Sequence, residues 1–395
     1  MTRASIREYL ATQRRRYVLL TRPQRRAVID EVVAVTRYHR KAVIRALRDT
    51  ARPPRSLRRV GRPRRYGAEV AAAAEVLWEA AGQIGAKRLH PFIAPLVRRL
   101  MACGELRVTL ATEQALGQVS VATLERLLAG ARRTRPRRGV TTTRPGTWLK
   151  QQIPMRTFAE WDDARPGFLE IDLVAHCGAR SKGFFLYTLC AVDVATSWVE
   201  LAPVWGKGHY RVGAAIHELR RRLPMPLRGI DSDNGSEFIN RPLYYYCDRE
   251  GITFTRSRAW KKNDSAHVEQ KNGALVRQLI GYDRYACKAA YAQLARVYAL
   301  VRLHSNFFQP VQRLLAKQRD GARLRRWHDR AQTPFQRLCA AGVLSTEAQR
   351  ELEDTYERLN PLQLRRQIDR ELATLWRFAI REPRAGIDSP RTFAR

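Results

Sequence analysis

Hydrophobic and polar positions follow two different patterns along the chain. In residues 5–50 and 68–131, apolar residues recur every three or four positions, which is the spacing of helices that bury one face. From residue 168 onwards, runs of consecutive apolar residues take over, at 168–174, 184–192 and 197–204. Such runs predict β-strands, and their short connections predict an antiparallel meander.

The following segments alternate between the two patterns. They predict a helix over 209–222, a strand over 227–231, a helix over 237–249, a strand over 252–255 and a helix from 264. Strands followed by alternating strands and helices are typical of a mixed α/β sheet covered on both faces. We therefore expect an α/β domain with a five-stranded sheet over 165–285, followed by a helical, basic C-terminal region over 286–395.

Residues 1–50 predict a small all-α domain. Thr21 can cap a helix whose first turn holds Pro23, and a second helix follows a short turn near Arg37. Two helices joined by a short turn, the second basic on its outer face, are typical of a helix-turn-helix, although any helical hairpin gives this pattern. The outward-facing candidates for DNA contact are Arg40, Lys41 and Arg45.

Basic linkers flank a second helical module. Residues 51–67 lack apolar periodicity, and the stretch Gly61-Arg62-Pro63-Arg64-Arg65 is similar to an AT-hook, which places arginine in the minor groove. A plain linker has the same composition. Residues 68–131 predict a second helix-turn-helix, and residues 132–164 another basic linker. The DNA contacts expected in these segments are Arg62, Arg64, Arg65, Thr123 and Arg126.

The net charge of the chain indicates what kind of molecule it binds. The chain has 73 Lys and Arg against 37 Asp and Glu, a formal net charge of +36. An excess of this size repels itself unless a polyanion neutralises it, and contacts to nucleic-acid phosphates release condensed counterions. The alternative is solubility alone, or an arginine-rich proteome. Double-stranded DNA is therefore the expected partner.

The spacing of the cysteines and the length of the apolar stretches indicate the cellular compartment in which the protein is found. The six cysteines are scattered and contain no C-x-x-C pair, which argues against a disulfide framework and against a cysteine-rich zinc site. No apolar stretch approaches the length of a membrane span. We expect a soluble cytoplasmic protein, associated with the nucleoid and without membrane contact.

Three acidic residues occupy positions where a carboxylate is unusual or well placed. Asp172 interrupts the first apolar strand, Asp233 follows the fourth strand, and Glu269 lies in the first turns of a helix that Asp264 can cap. A charge within an apolar strand is costly unless it is paired or binds a cation. Taken singly, an Asp at a strand end is most often a turn residue. Together, the three can hold Mg²⁺ or Mn²⁺, which prefer oxygen ligands.

On these residues the chain resembles the retroviral-integrase-type DDE transposases of bacterial insertion sequences. The 35 residues between Asp233 and Glu269 equal the spacing of that family's D,D-35-E triad. The contexts agree as well, with EIDLVAH around Asp172, SDNGSEF around Asp233 and NDSAHVEQKN around Glu269. The resemblance covers roughly 165–285. It implies an RNase H-like integrase catalytic core, catalysis by the three acids on two Mg²⁺ or Mn²⁺ ions, and a homodimer or larger oligomer on DNA.

The chain departs from the family pattern in three respects. Gln270 follows the glutamate where many members have arginine. The His-His-Cys-Cys zinc module of retroviral integrases is missing from the N-terminal sequence, and the C-terminal region does not have the pattern of their small β-barrel.

Neighbours of the triad receive secondary roles. Asp231 is expected to support the site or to be exposed, Glu237 to begin the following helix, and Asp193 to be non-catalytic. His176 and His267 can contact DNA or adjust a proton, or be ordinary packed or solvated histidines. The residues expected to reach the scissile strand include Lys261, Lys262, Lys271 and Asn272, with a solvated face as the alternative.

The sequence thus predicts a transposase that binds element ends, cleaves them at their 3′ ends and transfers the strand into target DNA. Two other classes stay open. One is a DNA-binding regulator that has kept the fold without catalysis. The other is an RNase H-like nuclease that cuts without joining.

Overall fold

The computed structural model describes residues 1–48, 65–134, 165–233, 235–257, 265–320 and 323–380. The chain divides into two compact units, residues 1–65 and residues 66–395. The predicted AT-hook-like stretch, apart from Arg65, and most of the linker over 132–164 lie outside the described residues.

The first unit is a three-helix domain. Helix α1 spans Arg3–Tyr17, α2 spans Arg22–Thr36 and α3 spans Arg40–Arg48. The backbone amide of Thr21 donates to Gln24 Oε1 at 2.9 Å, which fixes the start of α2 in the way that the sequence predicts. The apolar faces of the helices meet in one small core, made of Ile6, Leu10, Tyr17, Val28, Ile29, Val32, Val43 and Leu47. Helices α2 and α3 and the turn between them match the sequence, whereas α1 is a further helix that the sequence analysis did not place. DNA binding by this unit stays a prediction.

The second unit begins with five helices. They are α4 (Ala68–Ala80), α5 (Ala86–Leu89), α6 (Ile93–Ala102), α7 (Leu110–Gln118) and α8 (Val121–Leu127). The hydroxyl of Ser120 accepts a hydrogen bond from Thr123 N and caps α8, as expected from the sequence.

A five-stranded mixed sheet forms the centre of the second unit. Its strands are β1 (Phe168–Ala175), β2 (Tyr187–Asp193), β3 (Val199–Val204), β4 (Gly229–Ser232) and β5 (Thr253–Arg256), with helices α9 (His209–Arg222), α10 (Arg241–Arg249) and α11 (Ala266–Lys271) between and after them. The strand order is β3-β2-β1-β4-β5, antiparallel among the first three and parallel from β1 to β5. The sequence correctly predicts this mixed five-stranded sheet with flanking helices, and the strand order and directions fit an RNase H-like α/β fold.

The C-terminal region corrects one expectation. It contains the predicted helices α12 (Lys288–Phe308), α13 (Pro334–Ala340), α14 (Thr346–Arg358) and α15 (Pro361–Trp376). Between α12 and α13, however, it also forms an antiparallel β-hairpin of β6 (Leu314–Asp320) and β7 (Arg323–His328). Arginine favours helices, and the hairpin has few apolar residues, so its sequence has no clear strand pattern.

The helices that precede the sheet in sequence and those that follow it pack into the same hydrophobic core as the sheet. Buried apolar residues form one continuous cluster from Val70 to Leu375. Arg99 on α6 donates to Glu357 Oε2 at 2.7 Å and to Leu359 O at 2.9 Å, and His304 Nε2 on α12 is hydrogen-bonded to Ala80 O at 2.8 Å. The segments that the sequence separates at 68–131, 165–285 and 286–395 thus pack as one body. No helix in the described ranges is long and apolar enough to cross a membrane.

Candidate active site

Two of the three predicted acids lie side by side towards the carboxyl ends of the two inner strands β1 and β4. β1 and β4 are parallel neighbours, with Ile171 opposite Ser232. The next residue on each strand is an aspartate, Asp172 on β1 and Asp233 directly after β4. Since neighbouring strands are about 4.8 Å apart, the register alone brings the two acids together.

The carboxylate of Asp172 is held on both oxygens. Oδ1 accepts a hydrogen bond from Leu173 N at 2.8 Å, and Oδ2 accepts one from Asn272 Nδ2 at 2.7 Å. Burial, together with the charges of Asp233, Glu269 and Glu237, raises the pKa of Asp172 to about 7, and burial is the largest cause. All three predicted acids therefore share one electrostatic environment, and Glu237 belongs to it as well.

The sequence predicts that Glu237 begins a helix, and this prediction is wrong. Helix α10 starts four residues later, at Arg241, and Glu237 lies in the preceding turn. A Cβ placed on Gly235 would come within 2.9 Å of both Asp233 Oδ1 and Glu237 Oε1. The two carboxylates thus flank the same point, which only glycine leaves open. Burial raises the pKa of Glu237, and the charge of Asp233 adds to this effect.

The segment that carries Glu269 is held at its start by β1. The backbone amides of His267 and Val268, at the start of α11, donate to Glu170 Oε2 at 2.9 and 3.0 Å. Glu170 is buried and lies two residues before Asp172, so both side chains project from the same face of β1. Glu269 itself is exposed. The predicted cap, Asp264, lies outside the described residues.

A π-helical turn over Asn272–Arg277 continues α11. Such turns widen the helix locally and are frequent at functional sites. At the beginning of this turn Asn272 contacts Asp172, and at its end Arg277 donates to Ala175 O at 3.0 Å. Two hydrogen bonds therefore attach this helical segment along β1.

The donor set suits a hard divalent cation. Asp172, Asp233 and Glu269 offer carboxylate oxygens, and their mutual repulsion is what a bound cation would offset. Across the described ranges, no group of three or more His, Cys, Asp and Glu side chains is already arranged at metal-binding distances. Metal binding at these acids stays a proposal.

Two acids near the site have structural partners. Asp231 is buried and accepts a hydrogen bond from Thr255 Oγ1 at 2.6 Å, so it joins β4 to β5. Asp193 accepts hydrogen bonds from Gly167 N, Thr196 N and Thr196 Oγ1 at the end of β2. Of the two alternatives for Asp231, the exposed position is wrong, and its contact with β5 is a supporting one. The contacts of Asp193 hold the turn after β2.

Lys271, an expected DNA contact, is buried, and His176 is the packed histidine that the sequence left open as an alternative. Lys271 is 6% exposed, its Nζ lies 3.5 Å from Ser305 Oγ, and burial lowers its pKa to about 8. His176 is fully buried, its Nε2 lies 2.7 Å from Thr188 Oγ1, and burial lowers its pKa to about 3. Neither side chain reaches the surface. Lys271 ends α11 and His176 directly follows β1. At both positions the side chain points into the interior, and the sequence motifs do not reveal this direction.

The other candidates for DNA contact are on the surface or outside the described residues. Arg40, Lys41, Arg45, Arg65 and Arg126 are exposed, and Thr123 is half-buried. Arg40 forms an ion pair with Asp30, and Arg126 donates to Thr123 Oγ1 at 3.0 Å. The remaining candidates, Arg62, Arg64, Lys261 and Lys262, lie outside the described ranges.

The sequence did not reveal the contacts that three residues make within the site. Glu170 caps the α11 segment, Asn272 orients Asp172, and Glu237 faces Asp233. Spacing offered a signal for two of them. Glu170 shares the strand face of Asp172 at i−2, and Asn272 shares the helix face of Glu269 at i+3.

Comparisons with known proteins include a close relative in sequence and a weak likeness in structure. No protein-family profile matches the chain. The chain is 42% identical over 316 residues to the "Uncharacterized protein y4rM" of Sinorhizobium fredii, a match that covers 79% of this chain and 89% of that protein. The catalytic core domain of BIV integrase aligns with a TM-score of 0.28 and 18% identity, over 43% of this chain and 91% of that domain.

Proposed function

The chain belongs to the family of the Sinorhizobium fredii protein y4rM, whose name states no activity, and we propose that its function is metal-dependent cleavage and joining of DNA, as in a transposase. One observation carries the proposal. Asp172 and Asp233 are adjacent towards the carboxyl ends of β1 and β4, and Glu269 is close enough to raise the pKa of Asp172. Three like charges are held near one another at a cost to stability, which a catalytic cation would offset.

The residues then have distinct parts in the reaction. Asp172, Asp233 and Glu269 would hold two Mg²⁺ or Mn²⁺ ions, which supply Lewis acidity to the attacking and leaving oxygens. Asn272 keeps the Asp172 carboxylate oriented, and Glu170 holds the start of the segment that carries Glu269. β1, β4 and α11 thus present the acids in a fixed arrangement, and positioning and charge stabilisation supply the rate.

The bond changes follow from in-line displacement at phosphorus. In cleavage, a water oxygen forms a bond to phosphorus, and the 3′ oxygen leaves and takes up a proton. In joining, that 3′ hydroxyl loses its proton and attacks a target phosphodiester, whose own 3′ oxygen leaves. No covalent bond to the protein is needed, and the number of phosphodiester bonds is unchanged by the joining step.

Support for DNA as the substrate comes from charge. The net charge of +36 is suited to a polyanion, and the first unit is a three-helix domain whose α3 has exposed Arg40, Lys41 and Arg45. Element ends held together would require at least two copies of the chain.

The test is a strand-transfer assay with Mg²⁺. The DNA substrate is a duplex copied from the genomic sequence on either side of the gene, where terminal inverted repeats are sought, and the target is a supercoiled plasmid. We expect Glu269→Gln to abolish both cleavage and joining with DNA affinity unchanged, because Glu269 is exposed and contributes no packing. The matched control is Glu353→Gln, also exposed, on α14.

Each possible outcome decides something. The proposal is supported if the wild type and Glu353→Gln both cleave and join DNA and Glu269→Gln does neither. Cleavage without joined products would identify a nuclease. Tight DNA binding by the wild-type chain with neither reaction would favour a regulator, and full joining by Glu269→Gln would exclude the triad from the mechanism.

A further inference from the structure

The β6–β7 hairpin is an exposed, two-stranded sheet that the proposed active site does not use. Its strands pair with each other in a separate sheet and not with the five-stranded sheet. Side chains along it are exposed, among them three large apolar ones. Leu314 is 49% exposed, Leu315 69% and Trp327 44%.

The hairpin is strongly basic. Residues 314–328 contain five Lys and Arg and one Asp. The exposed arginines Arg319, Arg325 and Arg326 have no acidic partner in the part of the chain that the structure describes. By strand register, Arg319 and Arg326 lie on one face of the hairpin, and Arg325 and Trp327 on the other.

The base of the hairpin is fixed to the body of the second unit. Arg313 N donates to Asp329 Oδ1 at 2.7 Å, and Arg337 forms an ion pair with Asp329 at 2.8 Å. Arg313 Nη1 also donates to Ala195 O at 2.9 Å, in the turn between β2 and β3. The hairpin therefore projects from a defined place beside the sheet.

Such a structure is poorly stabilised by its own contacts. A two-stranded hairpin is marginal in water, and like charges on one face oppose its formation. A polyanion laid against it would remove this repulsion, and would also cover part of the exposed apolar side chains. Charge complementarity thus indicates nucleic acid as the partner of this surface.

The shape selects duplex DNA. The major groove of B-form DNA is about 12 Å wide and admits a two-stranded β-ribbon. The deep, narrow major groove of A-form RNA does not. A ribbon with basic residues on both faces can contact the phosphates on both sides of the groove.

We propose that the β6–β7 hairpin is a DNA-binding arm that lies in the major groove of duplex DNA next to the catalytic sheet. The proposal rests on the proposed function, because it takes DNA as the substrate. It adds a surface, on the second unit, that would hold the duplex independently of the three acids.

The test compares two triple variants of the full chain. The hairpin variant carries Arg319→Gln, Arg325→Gln and Arg326→Gln. The matched control carries Arg350→Gln, Arg358→Gln and Arg370→Gln, three exposed arginines on α14 and α15. Far-UV circular dichroism verifies that both variants fold. Binding to a fluorescent 30-base-pair duplex is measured in EDTA over a range of salt concentrations, so that catalysis plays no part.

We expect the slope of log affinity against log salt to fall by about 2–3 for the hairpin variant, since each lost phosphate contact removes about 0.9. The control variant should keep the wild-type slope. Duplex RNA of the same sequence should compete at least tenfold less well than DNA for the wild-type chain.

Other results overturn the proposal. Equal slopes for the hairpin variant and wild type, or equal losses in both variants, would show that the hairpin has no specific part in DNA binding. Equal competition by RNA would exclude the major groove. Loss of self-association in the hairpin variant, with its DNA slope unchanged, would identify a contact between copies instead. If the wild-type chain does not bind DNA, the proposed function itself fails.

Discussion

The side-chain amide of Asn272 donates a 2.7 Å hydrogen bond to Asp172 Oδ2 and so connects the helical segment of Glu269 to the strand of Asp172. With the bond from Leu173 N to Oδ1, it stabilises the ionised carboxylate against burial and nearby acids. Asp172 is thereby oriented by two hydrogen bonds, one from its own strand and one from the helical segment that follows Glu269.

Removing the hydrogen bond between Asn272 and Asp172 should weaken metal binding and leave DNA binding largely unchanged. For Asn272→Ala we expect about tenfold more Mg²⁺ to be needed for half-maximal strand transfer, because partners of metal ligands typically contribute 10–100-fold to affinity. Gln278→Ala, at an exposed position shortly after the same π-helical turn, is the control. An unchanged Mg²⁺ requirement in Asn272→Ala would show that the bond does not serve the metal site.

The raised pKa of Asp172 predicts how stability depends on pH without metal. This pKa rises from 3.8 to about 7 on folding, so between these values the unfolded chain has lost a proton that the folded chain retains. Stability therefore falls as pH increases from about 4 to about 7 and changes little above that. Three pKa units correspond to about 4 kcal/mol, which solvent at the partly exposed carboxylate reduces to about 1–3 kcal/mol.

Urea unfolding in EDTA at pH 5 and pH 8 measures this effect. Wild type should lose more unfolding free energy between the two pH values than Asp172→Asn, and Mg²⁺ at pH 8 should restore stability to wild type alone. Parallel pH dependences of the two proteins would contradict the assignment.

Glu170 should act as a positioning residue for Glu269. Its carboxylate accepts from two backbone amides at the start of α11, and loss of such a cap costs about 1–2 kcal/mol. Glu170→Ala should lower the maximal strand-transfer rate and raise the Mg²⁺ requirement, while Glu170→Gln, which keeps an acceptor oxygen, should recover most of the rate. Equal rates for the two variants, after correction for folded fraction, would leave Glu170 with a packing role only.

Gly235 should be intolerant of a side chain for a local reason. In Gly235→Ala the new Cβ would lie within 2.9 Å of both the Asp233 and Glu237 carboxylates, so one of them must move. We expect at least tenfold lower strand transfer. Adding Glu237→Ala should recover part of it, because the longer side chain then no longer competes for space. A double variant no better than Gly235→Ala would show that displacement of Asp233 is the cause.

The sequence predicted the fold of the sheet more fully than the contacts within the site. Apolar runs located all five strands, and helix α9 has the predicted bounds over 209–222. Strand and helix patterns are local, so a single chain displays them. The hydrogen bond between Glu170 and the start of α11 crosses 97 residues, and only the packing of α11 against β1 in the folded chain brings the two together.

Burial was the harder property to predict around the helix of Glu269. Lys271 lies two residues beyond an exposed acid, and its motif suggests a surface cation, yet its ammonium group lies near Ser305 in the interior. The direction of a side chain depends on the π-helical turn that follows α11 and on the packing of α12, and neither is visible as a period in the sequence. The same limit applies to the hairpin, whose arginines fit a helix as well as a strand.

The hydrogen bonds from Arg99 to Glu357 span 258 residues of sequence and therefore have a consequence for synthesis on the ribosome. At about 5–20 residues per second, Arg99 waits on the order of 10–50 s for its partner to be made. During that time the apolar faces of α4 to α8 lack the helices that later cover them. The first unit has its whole core within residues 6–47 and can fold at once. The second unit is thus the part of the nascent chain that would depend on chaperones.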